Sequence, residues 1–209
     1  KKANWRRLNI GIESFSDKVL KDMNKRCTKE QNHEALRLAK KNGIPTFMNI
    51  IVTTPESTLD DVKKTIDAAL SYAKDSFFHV GIILAIKPLK GTDYYEGYSD
   101  YMTRIVDVPN SQYKVKLDDM IYAKDPKVKM LQLRYWDEVD NYIESQREKK
   151  DIKHYVASNL SLIKLELLFK LINEIENQFK NKKIISAKLH NPKPMPRNER
   201  QTVDIDDDV

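Results

Sequence analysis

Glu13 and Ser14, in the stretch NIGIESFS, stand where an apolar run ends and a helical pattern begins. A carboxylate at such a turn can accept N–H groups from the helix N-terminus or hold the hydroxyls of a bound ribose. On spacing alone the first reading is the simpler. Other chemistry is harder to assemble. His33, His79, His154 and His190 lie far apart, with no HxH or HExxH spacing, so a zinc site is not expected. Cys27 follows Lys25 and Arg26, cations that favour a thiolate, but no base stands near it in sequence and it reads as a passive loop thiol. As the sole cysteine it excludes an internal disulfide and a multi-thiolate metal centre. GxGxxG and GxxxxGK are both absent, which removes the sequence signals of dinucleotide and P-loop sites.

The elements that must position Glu13 centre on residues 45–57 (PTFMNIIVTTPES), an apolar β-branched run between two helical patterns that stops at Thr-Thr-Pro. Similar runs lie at 8–13 (LNIGIE) and 77–86 (FFHVGIILAI), one helical pattern away on either side. A β-α-β-α-β succession puts its strands parallel in one sheet, joined by right-handed crossovers. Ligands of such sheets bind beyond the carboxyl ends of the strands, here Glu13-Ser14, Thr53-Thr54 and Lys87-Pro88.

Helix signals fill the gaps. Ser16 is placed to cap a short helix at 17–23, and Thr28 with Gln31 forms a capping-box pattern for 29–42, which Gly43 stops. Thr58 is placed to cap 59–73, where Leu59, Val62, Ile66, Ala69, Leu70 and Ala73 share a face. After the third strand comes a Pro and Gly turn (PLKGTDYY) and an aromatic start to a short helix. Residues 99–124 show no sustained period, and an irregular connection with at most a short strand is expected there. Asp125-Pro126 opens a long amphipathic helix to about Glu148, and a second follows from Ile152 to about Phe179. The centre of this second helix is apolar enough to bury a broad face against its predecessor, the barrel or a second subunit. The end, three prolines and the acidic run DIDDD, is expected to form a flexible tail. The fold class expected is α/β, half of an incomplete TIM-like βα barrel with parallel strands over 1–98, then the connection 99–124, a helical extension 125–190 and the tail 191–209. A closed barrel needs eight strands and about 250 residues.

Composition narrows the partners. Of 209 residues, 40% are hydrophobic, enough for a real core. The formal charge of +6 comes from 37 basic against 31 acidic residues, spread through mixed-sign helices and not gathered in a block, so nucleic acid is not an expected partner. No apolar run approaches the roughly 20 residues of a membrane span, and there is no secretory h-region. A cytoplasmic location is the expectation. The chain opens Lys1-Lys2-Ala3 without Met and enters a strand at once, from which a missing upstream portion is expected.

Four segments in register resemble radical S-adenosylmethionine (radical SAM) enzymes, particularly the large group related to the cobalamin-binding subclass. NIGIESFSDKVLKDMNK is similar to that family's "iGiESgSdkvLk.mnK", and the helix after it, ending at Gly43, to "t.e....ai..ak..Gi". IIVTTPESTLDDVKKTIDAAL is similar to "fi.GlPgET.ed...ti..a", and IKPLKGTDYYEG to "pyPGTplye". The resemblance implies a partial βα barrel of six units, in which three cysteines spaced CxxxCxxC hold a four-iron four-sulfur cluster. That cluster reduces S-adenosylmethionine to a 5′-deoxyadenosyl radical, which abstracts hydrogen from the substrate. The cluster cysteines have no counterpart here, so the chain matches the fourth to sixth units and is expected to be inactive alone. Its first partner would be the upstream half barrel. Cobalamin is a further cofactor the subclass allows, and the C-terminal helices offer a route to an oligomer.

By the same resemblance Glu13 and Ser14 match the family's ES pair, beside the ribose and methionine parts of the cosubstrate. Asn49, Thr53 and Thr54 lie where the family packs against the adenosyl group, and Ile86, Pro88 and Gly91 border the adenine. Thr53 stands where the family usually has Gly, Ser57 where it has Glu, and Lys90 where it has Pro. A side chain at 53 occupies space that a backbone approach would use. The substrate and the reaction type are not specified by these segments. The alternative class is a noncatalytic α/β binding or assembly module that keeps half the scaffold.

Overall fold

The computed structural model describes residues 6–87, 89, 91–98, 103–107, 114–118, 121–146 and 152–180. Pro88, Lys90, parts of the connection and all residues from 181 on, the tail included, lie outside the described residues. Three strands, β1 (Leu8–Glu13), β2 (Thr46–Thr53) and β3 (Phe78–Ala85), form one parallel sheet in the order β1-β2-β3. Two helices, α1 (Asp17–Asp22) and α2 (Lys29–Lys41), join β1 to β2, and α3 (Leu59–Ala73) joins β2 to β3. This is the α/β open sheet expected of a partial barrel, followed by a helical part. A short α4 (Asp93–Tyr98) follows β3. Then come β4 (Thr103–Asp107) and β5 (Lys114–Asp118), an antiparallel pair where one short strand at most was expected. The long helices are α5 (Pro126–Gln146) and α6 (Ile152–Lys180).

Strand alternation sorts the sheet's two faces. Ile12, Met48, Ile50, Val52, Phe78, Val80 and Leu84 are buried on the helix side. Asn9, Gly11 and Glu13 on β1, Phe47, Asn49 and Ile51 on β2, and His79, Gly81 and Ile83 on β3 share the other, uncovered face. The helix side is filled from far along the chain. α6 packs against α3, α5 and β3, and its Leu165, Leu168, Leu171, Ile172 and Ile175 join Leu59, Val62 and Ile66 of α3 and Val128, Leu131 and Tyr135 of α5 in one apolar cluster. The broad face expected of α6 is thus buried against its predecessor and the βα units together. Ion pairs Lys63–Glu176 at 3.2 Å and Arg134–Glu174 at 2.7 Å border it.

The capping boxes form as the sequence predicts. Thr28 Oγ1 accepts from Gln31 N while Gln31 Oε1 accepts from Thr28 N, and Gly43 at φ 67° lets the Ile44 and Gly43 N–H groups bond back to Ala39 and Lys40 carbonyls. Thr58 caps α3, with Asp61 as its reciprocal partner. Ser16 does not cap α1. Its hydroxyl donates instead to Asp61 Oδ1 at 2.6 Å, a partner 45 residues on, because the Ser14–Ser16 turn lies directly on α3. Ser14 Oγ meets Thr65 Oγ1 at 2.8 Å, and Phe15 N donates to the same oxygen at 3.2 Å. Asp61 and Thr65, one helical turn apart, bolt the β1 turn to α3.

Asp61 is therefore a charged group buried with partners. Burial pushes its carboxyl up, but hydrogen bonds from the Ser16 hydroxyl and the Thr58 N–H and hydroxyl, with Lys18 at 3.8 Å, outweigh this and leave it below the usual carboxylate range. A depressed carboxylate contributes stability that is present above its unfolded pKa near 4 and is lost as pH falls through the folded value. Asp61→Asn should cost about 1–3 kcal/mol at pH 7, and urea titrations should show the gap to wild type closing towards pH 3. A gap of constant size would mean that the charge is not what Ser16 and Thr58 recognise.

Candidate functional site

β1 ends in a distortion. The β1–β2 register slips between Gly11 and Glu13, and Glu13 sits at φ 62°, a backbone region that residues with a β-carbon rarely occupy. Its carboxylate lies back over Gly11, where a Cβ would come within 2.5 Å of Oε1. The lysine ending the resemblance segment, Lys25, meets Oε1 at 3.0 Å. The simpler sequence reading, an acceptor for the N–H groups of α1, is corrected. Among the described residues the carboxylate takes no backbone N–H, because the left-handed φ aims it back along the strand. The pair is part-exposed on the uncovered face, with Glu13 16% and Lys25 40% accessible.

Asn49 stands beside this pair, since Gly11 is its register partner. Its Nδ2 donates to Asn9 Oδ1 at 2.8 Å, and on its other side Gly81 leaves room for the Asn49 amide and the Phe47 ring, whose Cε1 is 2.6 Å from where a Cβ would stand. Ile51 and the 45% exposed Ile83 continue the face towards the strand ends. Ile86 is half-buried and its N–H extends the ladder one step to Thr53 O at 3.2 Å. Glu13, Asn49 and Ile86 are thus placed with accessible surface at the sheet's open face and carboxyl edge. Pro88 lies outside the described residues.

Ser14, Thr53 and Thr54 are at most 1% exposed, and their side chains are committed within the protein. Thr54 N and Oγ1 both bond Ser57 Oγ, at 2.9 and 2.8 Å, closing the turn where the family pattern carries Glu at position 57. Thr53 Oγ1 donates to Leu84 O at 2.7 Å and accepts from Gln132 Nε2 at 2.7 Å. Gln132, itself 1% exposed, also donates to Ile121 O and accepts from Ala123 N at 2.9 Å. Lys124 N then bonds Pro55 O at 2.9 Å. Beyond it, Glu56 receives the Lys124 ammonium and the Tyr98 hydroxyl, both at 2.5 Å, and the lysine bond above all holds its carboxyl below the usual range. The C-terminal part is therefore fastened to the carboxyl end of β2.

Sequence reasoning missed Lys25, Asn32, Glu56 and Gln132. Two of these carried a signal. Asn32 precedes Leu36 and Ala39 on the buried stripe of α2, and Gln132 sits among Val128, Leu131 and Tyr135 on that of α5, so each is a polar residue in an apolar register. Asn32 Nδ2 donates to Ile12 O at 3.0 Å and to Ser14 O at 3.1 Å, on either side of Glu13.

The donor set decides between cofactors. Among the described residues no three His, Cys, Asp or Glu side chains converge on a metal position. Cys27 is half-buried with Sγ 3.9 Å from Asn32 Oδ1, and His33 bonds the Tyr72 hydroxyl at 2.7 Å. An iron–sulfur cluster does not fit the residues of this chain. On the uncovered face a carboxylate, an ammonium, an amide pair and aliphatic surface lie side by side across Gly11 and Gly81. Among the described residues no helix is long and apolar enough to cross a membrane.

The sequence model of the Radical SAM superfamily matches residues 1–69. A putative methylthiotransferase of Methanocaldococcus jannaschii is 41% identical over 68 residues, which is 32% of this chain and 15% of that protein. No solved structure matches the chain. The matched segment contains β1, β2, the turns that follow them, and Glu13, Ser14, Asn49, Thr53 and Thr54. Over residues 1–69 the chain is similar to the Radical SAM superfamily of enzymes, and it spans about 15% of the length of the curated relative it matches.

Proposed function

We propose that the chain supplies the cosubstrate-binding rear of a radical SAM barrel, in a protein whose reaction begins with reductive cleavage of S-adenosylmethionine. The observation that carries this reading is that the superfamily segment coincides with the distorted β1 end, where Glu13 is aimed over Gly11 beside Asn49. When bound next to a reduced iron–sulfur cluster, S-adenosylmethionine supplies a carbon radical on loss of its sulfonium bond. This chain's own part is to bind and orient. Glu13 is a ready acceptor for ribose hydroxyls, Lys25 and Glu13 are complementary to the carboxylate and ammonium of the methionine end, and the Asn49 amide, Ile51 and Ile86 offer a polar and aliphatic wall.

The cluster ligands come from outside this chain, and the partner we propose is the remaining set of βα units, pairing along β1 and closing over the uncovered face. The chain alone then neither holds a cluster nor turns over. Cobalamin would belong to a neighbouring domain, and the cytosol suits an oxygen-sensitive cluster. The relative's name adds methylthio transfer as a candidate reaction. The identity lies in the cosubstrate segment, so it supports shared initiation more than a shared substrate. The test is anaerobic reconstitution with iron and sulfide of this chain joined to βα units bearing CxxxCxxC. 5′-Deoxyadenosine is the expected product, and a well-formed cluster that yields none overturns the proposal.

One observation favours a second reading, the noncatalytic module. Thr53 and Ser57 replace the Gly and Glu of the family pattern, and both are wholly used in internal hydrogen bonds. That reading predicts no S-adenosylmethionine binding even with the barrel completed.

A further inference from the structure

We infer that Asn32 is a positioning residue, which holds Glu13 in its left-handed conformation and thereby presents the carboxylate on the open face. The value of that carboxylate to a ligand rests on the function proposed above; the positioning itself does not.

A residue with a β-carbon at φ 62° is strained and persists only where its surroundings over-determine it. Three contacts do so here. Ser14 N donates to Ile12 O at 2.8 Å, closing a three-residue turn centred on Glu13, the rarer and more strained form when the central φ is positive. The Asn32 amide then spans the same turn, its two N–H groups reaching Ile12 O and Ser14 O. A single rigid group bonded to the carbonyls of Ile12 and Ser14 restrains their separation, and so the backbone torsions of residue 13 that lie between them. Asn32 is 7% exposed, and its own backbone N–H is bonded to Thr28 O at 3.0 Å within the capped first turn of α2, so the fork is held from a stiff base. Gly11 completes the arrangement by leaving space for the turned-back carboxylate.

Glycine would adopt this backbone freely. Glutamate at position 13 therefore costs stability for the sake of its side chain, and the buried amide is what makes the cost sustainable.

The experiment uses the full chain, isotopically labelled, with the amide-to-α proton coupling and the Cα shift of residue 13 reporting φ, urea titration reporting stability, and S-adenosylmethionine as the probe ligand. Asn32→Asp keeps the shape and removes both donors. It should move residue 13 out of the left-handed region and weaken any S-adenosylmethionine binding roughly tenfold. Glu13→Gly alone should raise the folded-to-unfolded ratio roughly fivefold by relieving the strain. In that background Asn32→Asp should cost clearly less than in wild type. Asn32→Ser, which keeps one donor, serves if the aspartate variant does not fold, and should give an intermediate φ signature. An unchanged signature at residue 13, or an equal stability cost with and without Glu13→Gly, overturns the inference. Failure of wild type to bind S-adenosylmethionine in a completed barrel would instead sink the proposed function, while the coupling at residue 13 still decides the role of Asn32.

Discussion

Leu168→Ala lowers the stability of the whole chain by about 2–5 kcal/mol, and the strands lose protection together with the helix that carries the substitution. Leu168 is fully buried, in a cluster that runs from Ile12, Met48 and Val80 of the sheet through Ile66 of α3 to Ile172 and Ile175 of α6. α6 reaches β3 as well as α3 and α5, so the cavity left by three missing carbons opens inside a shared core. Were the long helices an appendage with their own core, the same substitution would loosen them and leave the sheet intact. Urea unfolding followed by amide exchange separates the two outcomes. One transition, with β2 amides exchanging at the rate of α6 amides, is expected. Two transitions, the sheet untouched by the substitution, would sink it.

Gln132→Leu should cost about 2–4 kcal/mol, although it replaces a polar residue in an apolar stripe with the side chain a core normally prefers. The Ala123 N–H and Ile121 O lose their partner, Thr53 keeps only its bond to Leu84 O, and none of these groups can reach water. Leucine gains its own burial but cannot return those bonds. The local signature distinguishes this from a packing fault. Exchange should quicken at Ala123 and at Ile86, whose N–H bonds Thr53 O, before it does in the centre of α5. A loss below about 0.5 kcal/mol would mean that the tie between α5 and the β2 end is incidental.

The elements that could be placed from sequence were those with local causes. The β-branched runs at 8–13, 45–57 and 77–86 contain the strands 8–13, 46–53 and 78–85, Thr28 with Gln31 and Thr58 became caps, and Gly43 took its positive φ. What could not be placed depends on partners remote in the chain. Ser16 has the residue type and position of a cap, yet its hydroxyl goes to Asp61. β4 and β5 are five residues each, too short for the alternation of TRIVD and KVKLD to stand out from the polar residues around them. At the site, Glu13 was identified by position, but its orientation depends on Asn32, Gly11 and Lys25, and a backbone dihedral leaves no trace in residue spacing. Thr53 was flagged because it departs from the family pattern. The Gln132 that occupies its hydroxyl lies 79 residues on and is announced only by its polar character in an apolar stripe.

The long reach of α6 sets a timetable for a nascent chain. Lys63 on α3 waits for Glu176, 113 residues later, an interval on the order of ten seconds at ribosomal speed. Through that delay β3 and the inner side of α3 are out of the exit tunnel without α6 to cover them, so hydrophobic capture by a chaperone has its window before that helix emerges.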